Sequence, residues 1–377
     1  MKHKISIGIV GLGQFGSQFI KPFKEHPYVK RIAICDIHKE RVNKYSKKFR
    51  ITETYTNFND ICNSDLDALA IITQPWLHAP QVIHALKCGK HVYSAVPVMM
   101  SKTGDGDEIL DWCDKLIDTV KRTGQYYMMG ETTYFRPETV YCRKMYKKGL
   151  FGHIVSIDTE YLHDTFSGHL IEVYMARTGK TRQEVIKEGG NAPFHYPTHS
   201  FSAPISITGA HVTELSALGY IYPNDNYFRK DSVTKNIFCN ELALCRLSNG
   251  TMITVREYRR CQRTENEGIT RVIGTKSELL RECSGWKLIT KDDVKDVDVS
   301  QYRDPLPEPL DSELGGHGGS HSYLVHEFVD SCSSDRIPKI NAWEAVRYVV
   351  PGIIAHKSAL KGGQLMKVPD WGDAPTK

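Results

Sequence analysis

Short apolar runs recur through the first third of the chain, each followed by a break and then by residues with helical spacing. Residues 4–10, 31–36, 67–73, 91–96 and 126–130 are apolar enough to read as strands covered on both faces. Between them, 38–48, 79–88 and 105–123 read as helices. In the last of these, Ile109, Leu110, Cys113, Leu116, Ile117 and Val120 form one apolar side, closed by Gly124. Strands alternating with helices predict an α/β, doubly wound parallel sheet whose ligand lies at the carboxyl ends of its strands. After a helix over 137–148 the pattern changes to longer β-rich runs at 153–162, 206–221, 237–247, 251–260, 268–273 and 286–289, with Asn249-Gly250 as a hairpin signal. This predicts a second, α+β part with a mainly antiparallel sheet. Helices over 320–332 and 342–360 close the chain, the second kinked at Pro351.

The first strand runs into Gly11-Leu-Gly13-Gln14-Phe15-Gly16 and then a helix. Gly11 permits the tight turn, Gly13 lets the backbone approach a pyrophosphate, and Gly16 lets the helix lie close on the strand. The second strand ends at Asp36, about 20 residues beyond the glycines, where an acid meets the ribose hydroxyls of a dinucleotide. These residues predict NAD. Asp36 repels the 2′-phosphate of NADP, a preference softened by Lys39 and Arg41. The expected division is a Rossmann domain over 1–135 and a substrate-binding and oligomerisation domain over 136–377, with helices 320–360 packing back on the first.

Length supports two domains: 377 residues exceed an ordinary single core. The net charge of +5 is scattered or set along one helix face, which argues against nucleic acid. No apolar run reaches the roughly 18 residues of a membrane span, and the first strand begins too early for a signal peptide. Ten cysteines without C-x-x-C spacing read as reduced, packed residues, and the expected location is cytoplasmic. The 16 histidines lack compact zinc-ligand spacing, so no metal is expected.

Further motifs follow the glycine turn. Thr73-Gln-Pro75-Trp-Leu-His78, Gly89-Lys-His-Val before a proline-ended loop, and Gly189-Gly-Asn-Ala-Pro-Phe-His195-Tyr196-Pro-Thr-His199 together resemble the glucose–fructose oxidoreductase and inositol dehydrogenase family, written Gfo/Idh/MocA. Two departures stand out. Where the family has Glu-Lys-Pro, this chain has Ala95-Val96-Pro97, and the family's aspartate before the histidine is His195. With Glu131, Tyr161-Leu-His163-Asp164, Tyr196-Pro-Thr-His199 and Gly315-Gly-His317-Gly-Gly319, the chain is similar to the branch of NAD-dependent glycosidases of the bacterial α-N-acetylgalactosaminidase type. The resemblance implies that Thr73, Pro75, His78, Val96, Pro97 and Glu131 join the glycine turn and Asp36 around the cofactor. It also implies that Glu131, Asp164, His195 and His317 face substrate.

Oxidising a secondary alcohol needs a base on the hydroxyl while NAD accepts hydride from the same carbon. Valine at 96 moves no proton, so His199 and Tyr196 are the candidates; the plain alternative is that both pack in a turn. Tyr161 and His163, two apart, share a strand face and are the second catalytic pair. Glu131 orients a ligand or caps the following helix. His317 and His321 lie in a glycine-rich loop that closes over a ligand or serves as a hinge. The expected function is oxidation of the carbon-3 hydroxyl of a sugar or glycoside, ending as a keto sugar or as redox-neutral glycoside hydrolysis. An inositol or polyol dehydrogenase and a non-catalytic nucleotide sensor are the alternatives. One sheet face left uncovered predicts a homodimer or homotetramer.

Overall fold

The computed structural model describes residues 2–167, 169–262, 266–310 and 316–375. Its first sheet contains β1 (Ile5–Val10), β2 (Val29–Cys35), β3 (Glu53–Tyr55), β4 (Ala68–Ile71), β5 (His91–Ser94) and β6 (Tyr127–Met129). They lie in the order β3-β2-β1-β4-β5-β6, and every neighbouring pair is parallel. Helices α1 (Ile20–Glu25), α2 (Lys39–Phe49), α3 (Phe58–Cys62), α4 (His78–Lys87) and α5 (Gly106–Thr123) connect the strands. Covered on both faces, β1 and β4 bury every residue, as their unbroken apolar character requires. Strand order reverses between β1 and β4, which opens a crevice at the carboxyl ends of the strands.

Helix α6 (Pro137–Lys147) leads into a nine-stranded sheet: β7 (Ile154–Leu162), β8 (Val212–Tyr220), β9 (Asn240–Leu247), β10 (Met252–Tyr258), β11 (Asn266–Gly274), β12 (Ser277–Glu282), β13 (Gly285–Thr290), β14 (Val294–Val297) and β15 (Met366–Lys367). Its order is β14-β13-β12-β11-β7-β10-β9-β8-β15, and only the central β10–β7 pair is parallel. Helices α7 (Leu170–Thr178) and α8 (Arg182–Glu188) follow β7, and α9 (Thr198–Thr208) precedes β8. The strand expected from residue 206 therefore begins at 212. Phe201 and Ile205, four apart, keep the segment helical, and Gly209, at φ 69°, ends the helix. Strands β12 and β14 escape the apolar pattern because they are short and carry charges, β12 between β11 and β13 and β14 at the sheet edge.

Helix α9 packs across β7, β10 and β11, while α10 (Ser320–Ser333) returns to β1 and α1. The last helix, α11 (Ala342–Leu360), contains Pro351 and packs on β8, α9 and α5. No helix among the described residues is long and apolar enough to cross a membrane, and all ten cysteines are free thiols. Phe328 of α10 is fully buried, its ring 5.8 Å from that of Tyr93 on β5, and so ties the end of the chain to the first sheet. Truncation to Ala leaves a cavity there. Phe328→Ala should lower unfolding free energy by about 3–5 kcal/mol in denaturant titrations; a loss below about 1 kcal/mol contradicts this tie.

Candidate active site

At the carboxyl end of β1, Gly11 adopts φ +92° and its N–H bonds to the Cys35 carbonyl at 2.8 Å. A Cβ on Gly16 would run into the Gly11 carbonyl, whereas nothing lies within 4 Å of the Cβ position of Gly13. The turn is thus closed on its helix side and open at Gly13, the shape that receives a pyrophosphate. Asp36 is buried: one carboxylate oxygen accepts from the Leu12 N–H at 2.7 Å, the other from the His38 N–H at 2.9 Å. Arg41 stands 3.6 Å from the first of these oxygens. Gln14 is exposed, and Phe15 packs edge-on against His317 and His321. The residues present fit the dinucleotide.

Thr73 and Pro75 follow the end of β4, Val96 and Pro97 follow the end of β5, and the Thr73 methyl lies 3.2 Å from where a Cβ on Gly11 would stand. His78 is fully buried beneath them, Nδ1 at 2.8 Å from the Pro97 carbonyl and Nε2 at 3.2 Å from that of Thr73. Burial pushes its pKa down to about 4, so the ring is neutral and donates to one carbonyl. It braces the loop and stands behind the surface a ligand would touch.

Next to this loop the Gly130 N–H bonds to the Ser94 carbonyl, which sets Glu131 beside Ala95 and Val96. Glu131 is completely buried. One of its oxygens accepts from the Thr133 N–H at 2.8 Å and faces His199 Nδ1 at 2.9 Å. Burial works to raise its carboxyl pKa, but His199 and these hydrogen bonds outweigh it, and the pKa falls below the usual carboxylate value. The carboxylate therefore accepts Nδ1–H, which fixes the ring with Nε2 turned away from Glu131. His199 reaches Glu131 because α9 starts there, at the turn through Tyr196.

The rings of Tyr161 and Tyr196 lie 5.0 and 5.4 Å from that of His199. The Tyr161 hydroxyl meets His163 Nδ1 at 2.7 Å. Glu131, Tyr161, His163, Tyr196 and His199 thus converge. His317 joins at the edge, Nδ1 3.6 Å from a Glu267 oxygen; Gly315 of its motif lies outside the described residues. Two expected substrate residues do not converge. Asp164 spends its carboxylate on the N–H groups of Phe166, Ser167 and Cys261, which shape the turn after β7. His195 turns away on the short 3-10 helix Pro193–His195, its ring against His356 at 4.9 Å, and burial holds its pKa far below the usual value.

Glu267, Arg136, Glu257 and Arg259 were not anticipated. Glu267 is buried, pairs with Arg136 and stands 3.8 Å from His199 Nδ1. Glu257 carries a readable signal: Ile253, Val255 and Glu257 alternate on the buried face of β10, and a carboxylate at such a position needs a partner. Glu267 precedes the apolar run from which its strand was read.

These features define the class: an oxidoreductase fold built on an NAD-binding Rossmann sheet with a second, antiparallel sheet beside its crevice. Residues 5–130 match the Gfo/Idh/MocA family, described as an oxidoreductase family with an NAD-binding Rossmann fold, a stretch that holds the glycine turn, Asp36 and the motifs at 73–78 and 89–97. Similar proteins include a glycosyl hydrolase family 109 protein of Solibacter usitatus, 24% identical over 97% of this chain and 88% of that protein. An alpha-N-acetylgalactosaminidase of Shewanella oneidensis is 28% identical over 54% of this chain and only 43% of its own length. In fold, the chain is similar to a scyllo-inositol dehydrogenase from Lactobacillus casei solved with NAD(H) and scyllo-inositol, with a TM-score of 0.70 and 17% identity covering 97% of this chain and 99% of that one.

The two glycines separate binding from folding. Gly13→Ala should leave the melting temperature unchanged and weaken NAD about tenfold or more in calorimetric titration, whereas Gly16→Ala should lower stability as well. Unchanged NAD affinity in Gly13→Ala removes the pyrophosphate from this turn.

Proposed function

We propose that the protein is an NAD(H)-dependent oxidoreductase acting on the carbon-3 hydroxyl of a sugar or glycoside in the cytoplasm, with Asp36 accepting from the adenosine ribose. The observation that carries this reading is the buried Glu131–His199 pair at 2.9 Å, with Tyr161 and Tyr196 against the histidine, beside a loop whose proton-moving position is Val96. Bound NAD supplies the hydride acceptor at the carbinol carbon and, in the redox-neutral outcome, the same hydride at the end.

His199 Nε2 takes the hydroxyl proton as the alcohol becomes a ketone, and Glu131 stabilises the imidazolium that forms. A ketone at carbon-3 acidifies the hydrogen on carbon-2. With its own proton passed to His163 Nδ1 at 2.7 Å, Tyr161 takes the carbon-2 proton at its phenolate oxygen, the carbon-1 substituent leaves as its alcohol with a proton returned from these acids, and water adds to the enone in its place. Without the elimination the product is a 3-keto glycoside. Support for the glycosidase ending comes from the family 109 relatives, and for a dehydrogenase ending from the fold shared with inositol dehydrogenases.

A panel of chromogenic glycosides with the purified protein tests this, following aglycone release and the absorbance of reduced nicotinamide together. Release without NADH accumulation is the glycosidase outcome; stoichiometric NADH without release is the dehydrogenase outcome. His199→Ala should lower turnover by about 10²- to 10⁴-fold while still binding NAD. Efficient oxidation of a free polyol with no reaction on any glycoside rejects the glycoside reading, and no turnover on either class leaves the nucleotide sensor.

Assembly is part of the reading. On the face of the second sheet opposite α9, Leu218, Tyr220, Leu244 and Met252 are about half exposed or more, at 60, 53, 53 and 49%. A second copy of the chain would cover them. Light scattering at micromolar concentration should give a multiple of 42.8 kDa, and Leu218→Glu/Leu244→Glu should shift it toward one chain; a wild-type mass of one chain contradicts the assembly.

A further inference from the structure

Tyr161 occupies the middle of a row of polar side chains across the second sheet. In register, Glu241 of β9 faces Glu257 of β10, Glu257 faces Tyr161 of β7, and Tyr161 faces Glu267 of β11. Among the described residues, the groups around Tyr161 include His163 two residues along its chain, Glu257 and Glu267 on the neighbouring strands, Tyr196 and His199 from above, and Arg259 just beyond β10. Arg259 is 7% exposed, and its guanidinium carbon lies 4.7 Å from the centre of the Tyr161 ring. It is held from every side. Nη2 donates to Glu257 at 2.7 Å, and Nη1 donates to the carbonyls of Tyr258 at 3.1 Å and of Tyr161 itself at 3.3 Å.

We propose that Arg259 is a positioning residue for Tyr161, fixing the ring and setting a desolvated cation on its face so that the phenolate is stabilised as its proton acceptor role requires. This rests on the reading of Tyr161 as the base for the carbon-2 proton. A cation over an aromatic face is attracted by the ring's electrons, and more so when phenolate charge spreads into the ring. Arg259 keeps that charge available to the ring. Burial pushes the Glu257 carboxyl up to about 8, and the Arg259 charge opposes that shift, so the two groups form one buried pair beside the ring.

The test compares pH profiles of glycoside turnover for the wild type, Arg259→Lys and Arg259→Met, with NAD binding as the check on folding. Should Arg259→Met not fold, Glu257→Gln/Arg259→Met, which leaves no buried carboxylate unpaired, replaces it. Activity that depends on a deprotonated base rises with pH through the pKa of that base. Removing the cation should move this acid limb upward by about one pH unit, lowering kcat at neutral pH with KM little changed, and Arg259→Lys should bring the limb part of the way back. A limb that coincides with that of the wild type, while Tyr161→Phe abolishes turnover, overturns the proposal and leaves the proposed function standing. If the wild type turns over no glycoside, tyrosinate absorbance of the wild type minus that of Tyr161→Phe reports the phenol directly, repeated in the Arg259→Met background. A higher-pH titration there sustains the role of Arg259 and sinks only the glycoside reading; an unmoved titration overturns both.

Discussion

Three carboxylates and a tyrosine buried in one row across the second sheet are the constraint on which the rest of that sheet depends. An unpaired carboxylate in such a place costs several kcal/mol, and acids opposed across strands repel. Each therefore has its own compensating group. His356 of α11 meets Glu241 at 2.7 Å, Ser200 of α9 and Arg259 meet Glu257, and Arg136 at the start of α6 meets Glu267. The partners come from three helices and a strand end, so satisfying the row fixes where α6, α9 and α11 lie. Glu257, with its carboxyl pKa at about 8, is where burial most clearly outweighs compensation.

The same compensation aims the chemistry. With α9 held over the row, its first turn projects His199 toward the first sheet, where Glu131 waits at the end of β6. One imidazole thereby joins the two sheets across the crevice. The first sheet contributes the turn at Gly13, the Val96–Pro97 loop braced by His78, and a single carboxylate. The second contributes Tyr161 and His163, with Tyr196 and His199 above them. Valine at 96 is consistent with that split: the loop shapes the crevice, and the proposed function assigns the acid–base work to side chains of the second sheet and of the helix over it.

Much of this was legible in the chain. Apolar runs wide enough to be covered on both faces, broken by glycines at turn spacing, require a parallel sheet and a phosphate-sized opening, because no other arrangement buries those runs and uses those turns. Tyr161 and His163 share a face by the period of a strand, and the structure joins them by a hydrogen bond across that face. What the chain could not disclose are contacts between residues far apart in sequence. Glu131 and His199 meet only because α9 is packed over the second sheet. Arg259 lies on Tyr161 only because β10 runs parallel beside β7. The tertiary structure also decided against two residues whose type suggested chemistry. His195 lies on the wrong side of a one-turn helix, and the carboxylate of Asp164 is taken up by backbone N–H groups. Periodicity specifies which face a side chain takes within its own element; which groups then stand opposite it is settled by how the elements pack, through long-range burial that no local pattern encodes.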